Sequence, residues 1–267
     1  MNTFELKNVT FSYSPDVPIF KGLDLTFDSR TTAIVGQNGA GKTTLVKLMK
    51  GLLKPSKGTL LIDGESIADQ TAAQLAKRVG LVFQNPNDQI FKTNVLEEVM
   101  FGPLNIGFTH AEAEKGAREA LQKVDLESKV KDNPYDLSLS ERKLIALASI
   151  LAMDTEMLIF DEPTMGQDFA GKEKIKMIIE ELKADGKLVL CILHDMDFAA
   201  EVFERTIVLN QGEVILDGQT RDVFSEKMIL EEAYLEQPYV TQIAQALGYD
   251  DSFIQESELV TFLNKKK

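Results

Sequence analysis

Apolar and polar residues alternate twice near the start of the chain, in Phe4-Glu-Leu-Lys7 and in Leu23-Asp-Leu-Thr-Phe27. A period of two predicts strands with one covered face, here an antiparallel pair joined through a Ser14-Pro15-Asp16 turn. Four later runs are apolar without alternation: Thr31-Thr-Ala-Ile-Val35, Val79–Phe83, Met157–Phe160 and Leu188–Leu193. Continuous apolar runs of that length suit strands buried on both faces, as in a parallel sheet. A short strand is expected between Gly58 and Gly64, and Ile207–Leu216 reads as a hairpin turning at Gln211-Gly212. Leu45, Leu48, Met49 and Leu52 recur at helical spacing after the first buried run; Ile175, Ile178, Ile179 and Leu182 do so after the third, on a helix ending near Gly186.

Strand alternating with helix predicts an α/β fold with a mainly parallel sheet and an antiparallel β subdomain at its N-terminal end. Residues 92–154 depart from that rhythm. Thr109 and Glu112 form a capping-box pattern, and Ala113, Ala117, Ala120, Leu121 and Val124 follow on one helical stripe. After a loop at Asn133-Pro134, Leu144–Met153 is apolar nearly all round and predicts a deeply buried helix. The expected organisation is an α/β core of residues 1–91 and 155–224, an inserted helical subdomain at 92–154, and a helical extension at 225–267. The extension offers no residue cluster that connects to chemistry.

At 267 residues, 44% apolar and 27% charged, the chain can bury a large core and has the balance of a soluble globular protein. Its longest structural apolar run is far too short to span a bilayer, and its first residues lack a basic-then-apolar secretory pattern. A lone Cys191 inside an apolar strand suits a reduced compartment and reads as a small buried hydrophobe. The net charge of −13 argues against nucleic acid as a partner and against direct adhesion to anionic lipid; the Lys265–Lys267 end reads as a solvated terminus.

Between the first buried strand and its helix lie Gly36, Gln37, Asn38, Gly39, Ala40, Gly41, Lys42, Thr43 and Thr44, which fit G-x-x-x-x-G-K-[ST]. Strand, glycine loop and helix are the context of a phosphate-binding loop, and so of a P-loop NTPase core. The glycines let backbone N–H groups turn inward, and the helix adds its positive end. Lys42 would neutralise the β- and γ-phosphates of a nucleotide, and the Thr43 hydroxyl would take one place on Mg²⁺. Such a core needs a carboxylate at the end of a neighbouring strand. Asp161 supplies it for the metal, and Glu162 beside it can polarise an attacking water.

With these motifs in order, the sequence resembles the ATP-binding cassette (ABC) ATPases over most of its length. The resemblance implies that the Tyr13 ring stacks on adenine, that Gln84 reaches Mg²⁺ or the attacking water, and that His194 faces the γ-phosphate and orients Glu162. His110 sits in a helix-start pattern and reads as structural. Asp168 falls at the aspartate that contacts the opposite subunit, although Met165-Gly-Gln-Asp168 keeps only the Asp of the usual Ser-Ala-Leu-Asp.

The signature segment also departs: Leu137-Ser-Leu-Ser-Glu141 stands where the family usually has Leu-Ser-Gly-Gly-Gln, a segment that binds the γ-phosphate held by the partner subunit. Ser138 with Glu141 still forms a capping box, so a helix N-terminus is still presented. The close backbone approach of glycine is lost to Leu139 and Ser140. The Ser140 hydroxyl is a candidate substitute donor.

Gln84-Asn-Pro-Asn-Asp-Gln-Ile-Phe91 and Phe101-Gly-Pro-Leu-Asn105 resemble the ATPase subunits of energy-coupling factor transporters for vitamins and transition metals. That resemblance implies a second ATPase subunit (homo- or heterodimer), a transmembrane scaffold protein docked beside Asn87–Phe91, a substrate-binding membrane protein carried by the scaffold, and a peripheral place on the cytoplasmic face of the cell membrane. Two readings stay open beside it: a weakly hydrolysing half of an asymmetric ATPase pair, and a soluble ABC ATPase not tied to transport.

Overall fold

The computed structural model describes residues 3–14, 17–249 and 253–265. Strands β1 (Phe4–Ser14) and β2 (Val17–Phe27) pair antiparallel, with Phe4 opposite Phe27. Pro15 and Asp16 of the expected turn lie outside the described residues. Next come β3 (Thr32–Val35), α1 (Lys42–Met49), β4 (Lys57–Ile62), β5 (Glu65–Ser66), α2 (Ala72–Leu75) and β6 (Val79–Val82). Three longer helices follow before the chain returns to strand: α3 (Val95–Ile106), α4 (His110–Lys123) and α5 (Leu139–Leu151). Then β7 (Met157–Asp161), α6 (Phe169–Ala184), β8 (Leu188–Ile192), α7 (Met196–Val202), β9 (Arg205–Asn210) and β10 (Glu213–Gln219) alternate. The chain closes with α8 (Thr220–Ser225), α9 (Lys227–Glu232), α10 (Tyr239–Ala246) and α11 (Glu256–Lys265).

Among the described residues the strands form two sheets, ordered β2-β1-β4-β5 and β10-β9-β3-β8-β7-β6. The first is antiparallel throughout; the second is parallel except at its β9–β10 hairpin. The unbroken apolar runs have their reason here. On β8, Val189 and Cys191 enter the core under the helices, whereas Leu188, Leu190 and Ile192 enter the core shared with the antiparallel sheet. Strand β7 divides Leu158 and Phe160 from Met157 and Ile159 in the same way. With both faces covered, no position on these strands calls for a polar residue.

Both expected capping boxes form, at Thr109–Glu112 and Ser138–Glu141. The hairpin turns at Gln211 and Gly212, with φ of 48° and 82°, the pair of left-handed residues that a two-residue hairpin demands. The Gly212 N–H also donates to the Ala40 carbonyl (3.0 Å), so this hairpin braces the glycine loop. Cys191 is fully buried, and burial pushes its thiol pKa well up. Among the described residues no helix is long and apolar enough to cross a membrane.

Candidate active site

The glycine loop springs from the end of β3 and feeds α1. Gly36 is packed so closely on β9 that a Cβ there would lie 2.2 Å from the Leu209 carbonyl oxygen, so no other residue fits. Gly41 precedes α1 at φ 106°. Lys42 is buried, and its Nζ donates to the carbonyls of Gly36 (2.5 Å) and Gln37 (2.9 Å). The ammonium thus lies in the mouth of its own loop, where phosphate oxygens can replace those carbonyls. Burial lowers the Lys42 pKa, and the charges of Glu162 and Asp161 oppose that fall. Thr43 is exposed beside it. The Tyr13 hydroxyl lies 3.3 Å from the Thr44 hydroxyl, and its ring is more than half exposed, edge-on to Phe11. An accessible π-face therefore flanks the loop.

Parallel pairing of β6, β7 and β8 brings their C-terminal ends together beside the loop. Asp161, the last residue of β7, is buried, and the described residues give its carboxylate no hydrogen bond. Burial first, then the Glu162 charge, raises its pKa to about 6, against the pull of Lys42, Lys47 and Lys143. A buried carboxylate without a donor, near an exposed threonine hydroxyl and the Gln84 amide, offers the hard oxygen atoms that a magnesium ion takes from protein while substrate phosphates supply others. The residues fit that ion.

Glu162 is held from several sides. Its carboxylate accepts from Gln84 Nε2 (2.7 Å) and lies 3.0 Å from His194 Nε2. Its N–H donates to the Ile192 carbonyl on β8 (3.0 Å), and its backbone is left-handed at φ 52°. That conformation is uncommon for a residue with a side chain and persists only where neighbours enforce it. Sequence reasoning reached Glu162 from its place after Asp161 at a strand end, and Gln84 and His194 by resemblance; the fold brings all three into one hydrogen-bonded group. The group opens into a groove of about 1060 Å³, also lined by Asn38 and Gln167.

Ser138, Ser140 and Asp168 form a second set whose partners are local. Ser138 caps α5 and Asp168 caps α6, accepting from the Gly171 N–H (2.8 Å). The Ser140 hydroxyl, the expected substitute donor, already donates to Gln167 Oε1 (2.7 Å), and Gln167 Nε2 returns a bond to the Ser140 carbonyl (3.3 Å). Within a single chain, then, its proton is committed to a neighbouring side chain rather than free for phosphate.

Two features were not legible in the sequence. Lys143 on α5 is buried and donates to the Glu162 carbonyl (3.1 Å); the signal was a lone lysine four residues before Leu147 on an apolar helical stripe. The extension, read as unconnected to chemistry, in fact reaches the site. Tyr234, Tyr239 and Gln242 line the same groove, and the Tyr239 N–H donates to Asp197 (2.8 Å), three residues past His194. No local pattern in the extension signals this.

Fold and site together define a nucleotide-hydrolysing P-loop protein. The family model described as ABC transporter matches residues 20–165. A Pyrococcus furiosus chain, provisionally named an ABC transporter ATP-binding protein, is 41% identical over 91% of this chain and 93% of its own. The energy-coupling factor transporter ATP-binding protein EcfA of Methanocaldococcus jannaschii is 36% identical over 94% of this chain and 91% of its own. The structure of cbiO1 from Clostridium perfringens, part of the ABC transporter complex cbiONQ, superposes with a TM-score of 0.77 at 30% identity, covering 92% of this chain and 98% of that one. The chain belongs to the ABC transporter ATP-binding family and is an ATPase of transporter type.

Proposed function

We propose that this chain is the ATP-hydrolysing subunit of an energy-coupling factor transporter that imports a vitamin or a transition metal. The Glu162 group carries the hydrolytic part of the reading: a carboxylate fixed by Gln84 and His194 at the mouth of a phosphate loop is placed to hold a water for in-line attack. Lys42 and the loop amides stabilise charge on the transferred phosphoryl group, Tyr13 stacks on the adenine, and His194 orients Glu162. Asp161, Thr43 and Gln84 would hold Mg²⁺, which when bound neutralises charge between the β- and γ-phosphates.

The site is one-sided, with its groove open and the Leu137–Glu141 segment turned to local partners. A second ATPase subunit completes it from across the interface, through a segment equivalent to Ser138 and Ser140 and through an aspartate such as Asp168. Similarity to EcfA and cbiO1 supports docking on a transmembrane scaffold at the cytoplasmic face of the membrane, with the scaffold carrying the substrate-binding protein. Residues 92–154 would serve as the docking subdomain, residues 1–91 and 155–224 as the nucleotide-binding core, and residues 225–267 as an appended helical unit.

The test is Glu162→Gln. ATP binding is expected to persist while turnover falls to near zero. Full hydrolysis by that variant would remove Glu162 from the reaction. Co-purification of the wild type with a membrane scaffold in detergent checks the transport assignment, and a chain that purifies alone and active argues for a soluble ATPase.

A further inference from the structure

Helix α5 is bonded to the segments that follow β6 and β7 beside Glu162. Arg142 Nη1 donates to the Asn87 side chain (3.0 Å), Gln89 Nε2 to the Ala146 carbonyl (2.7 Å), and Ser140 to Gln167 (2.7 Å). Lys143 alone among these reaches the residue that does the chemistry. Its side chain is buried at 7% exposure, and its ammonium takes the Glu162 carbonyl oxygen rather than either carboxylate.

That contact matters because of the Glu162 backbone. A left-handed glutamate is unstable by itself, and the buried Pro163 that follows disfavours relaxation to a right-handed helical conformation. The peptide before Glu162 is pinned through its N–H to Ile192 on β8. The peptide after it is pinned through its carbonyl by Lys143. With both peptide planes fixed, the carboxylate arrives between Gln84 and His194 without a search. Loss of the lysine leaves a carbonyl without its donor and lets the second plane rotate.

We infer that Lys143 is a positioning residue for ATP hydrolysis, which fixes the catalytic geometry of Glu162 through its main chain from the signature helix of the same subunit. The inference rests on the reading of Glu162 given above. Among the described residues the Lys143 ammonium donates to the Glu162 main chain and to no residue of the phosphate loop, so its loss falls on kcat and spares nucleotide affinity.

The variant is Lys143→Met, which keeps the buried aliphatic stem and helix propensity and removes the ammonium. ATP turnover by the assembled complex is expected to fall about 10- to 100-fold, the cost of misplacing a reacting group by about 1 Å, while KM for ATP stays within about twofold. In a Glu162→Gln background the same substitution should leave the residual single-turnover rate unchanged, because its effect passes through Glu162. Full activity of Lys143→Met, a comparable rise in KM, or a further proportional loss in the Glu162→Gln background overturns the inference. Should Lys143→Met fail to fold, Lys143→Leu, which likewise keeps an apolar helix-forming side chain and removes the donor, is judged by the same kcat and KM outcomes. Glu162→Gln inactive beside a fully active Lys143→Met sinks the lysine alone. Glu162→Gln active at the wild-type rate sinks the reading of Glu162 and the lysine with it.

Discussion

Asp161 is a carboxylate that the fold holds at a cost when nothing is bound, and replacing it with asparagine should expose that cost. Burial and the adjoining Glu162 raise its pKa from the usual 3.8 to about 6. Below about pH 4 the side chain is protonated in both folded and unfolded chains, so it contributes no difference. Between about pH 4 and 6 the folded chain keeps a proton that the unfolded chain has lost, and stability falls as pH rises. Above about pH 7 the whole cost is present, about 3 kcal/mol for a displacement of that size. Asp161→Asn is neutral throughout and close in shape to the protonated acid. The nucleotide-free variant should therefore melt higher than the wild type at pH 8 by roughly 5 to 10 °C, and the two curves should converge towards pH 4. Thermal unfolding followed by far-ultraviolet circular dichroism measures this directly. Adding ATP with magnesium should raise the wild-type midpoint and move the variant much less, since the lost oxygen is the one offered to the metal. A variant that melts at or below the wild type at pH 8 without nucleotide would refute the reasoning.

Two further outcomes follow from other parts of the molecule. Arg205, 5% exposed, donates two 2.6 Å bonds to Asp217 and one of 2.7 Å to the Thr26 carbonyl while facing the Phe27 ring, which ties the antiparallel sheet to the central one. Arg205→Ala should cost about 1.5–3 kcal/mol, by removing charge-assisted hydrogen bonds and leaving the Thr26 carbonyl unpartnered while the exposed Asp217 returns to water; an unchanged urea midpoint would show the pair to be dispensable. In a mixed dimer whose second chain has a standard glycine-containing segment, Leu139→Gly with Ser140→Gly should raise turnover of ATP held by the second chain several-fold. Single-turnover assays with Lys42→Ala in this chain isolate that site, and no gain would mean that the altered segment is not what limits it.

The expected elements formed where their cause was local. A strand covered on both faces must be apolar throughout, so β3, β6, β7 and β8 could be read as continuous runs, whereas β1 alternates because its sheet has one outer face. Capping boxes at Thr109 and Ser138 satisfy backbone donors three residues away, and that spacing is visible in any linear chain. The glycine loop is legible as a fixed spacing, although its reasons differ: Gly41 is required by its own left-handed backbone, and Gly36 by its packing on Leu209 of β9. Glu162 stood out beside Asp161 at a strand end and Gln84 and His194 by place in the resemblance, and their joining depends on parallel pairing that sets three strand ends side by side.

Side chains that work by reaching across the fold left no such trace. Ser140 looks free for phosphate until Gln167, on the loop after β7, is found holding its proton. Tyr239 looks like a residue of an appended helix until its N–H is found on Asp197 in the groove beside Glu162. Lys143 looks like a charge at the margin of an apolar helix until α5 lies against the end of β7 and the ammonium meets the Glu162 carbonyl. The sequence determined the loop, the strands and the chemistry that each can hold, because local spacing and burial pattern write these directly. Tertiary structure decided which distant groups hold Glu162 in place, because a hydrogen bond across the fold depends on the path of the chain between its ends.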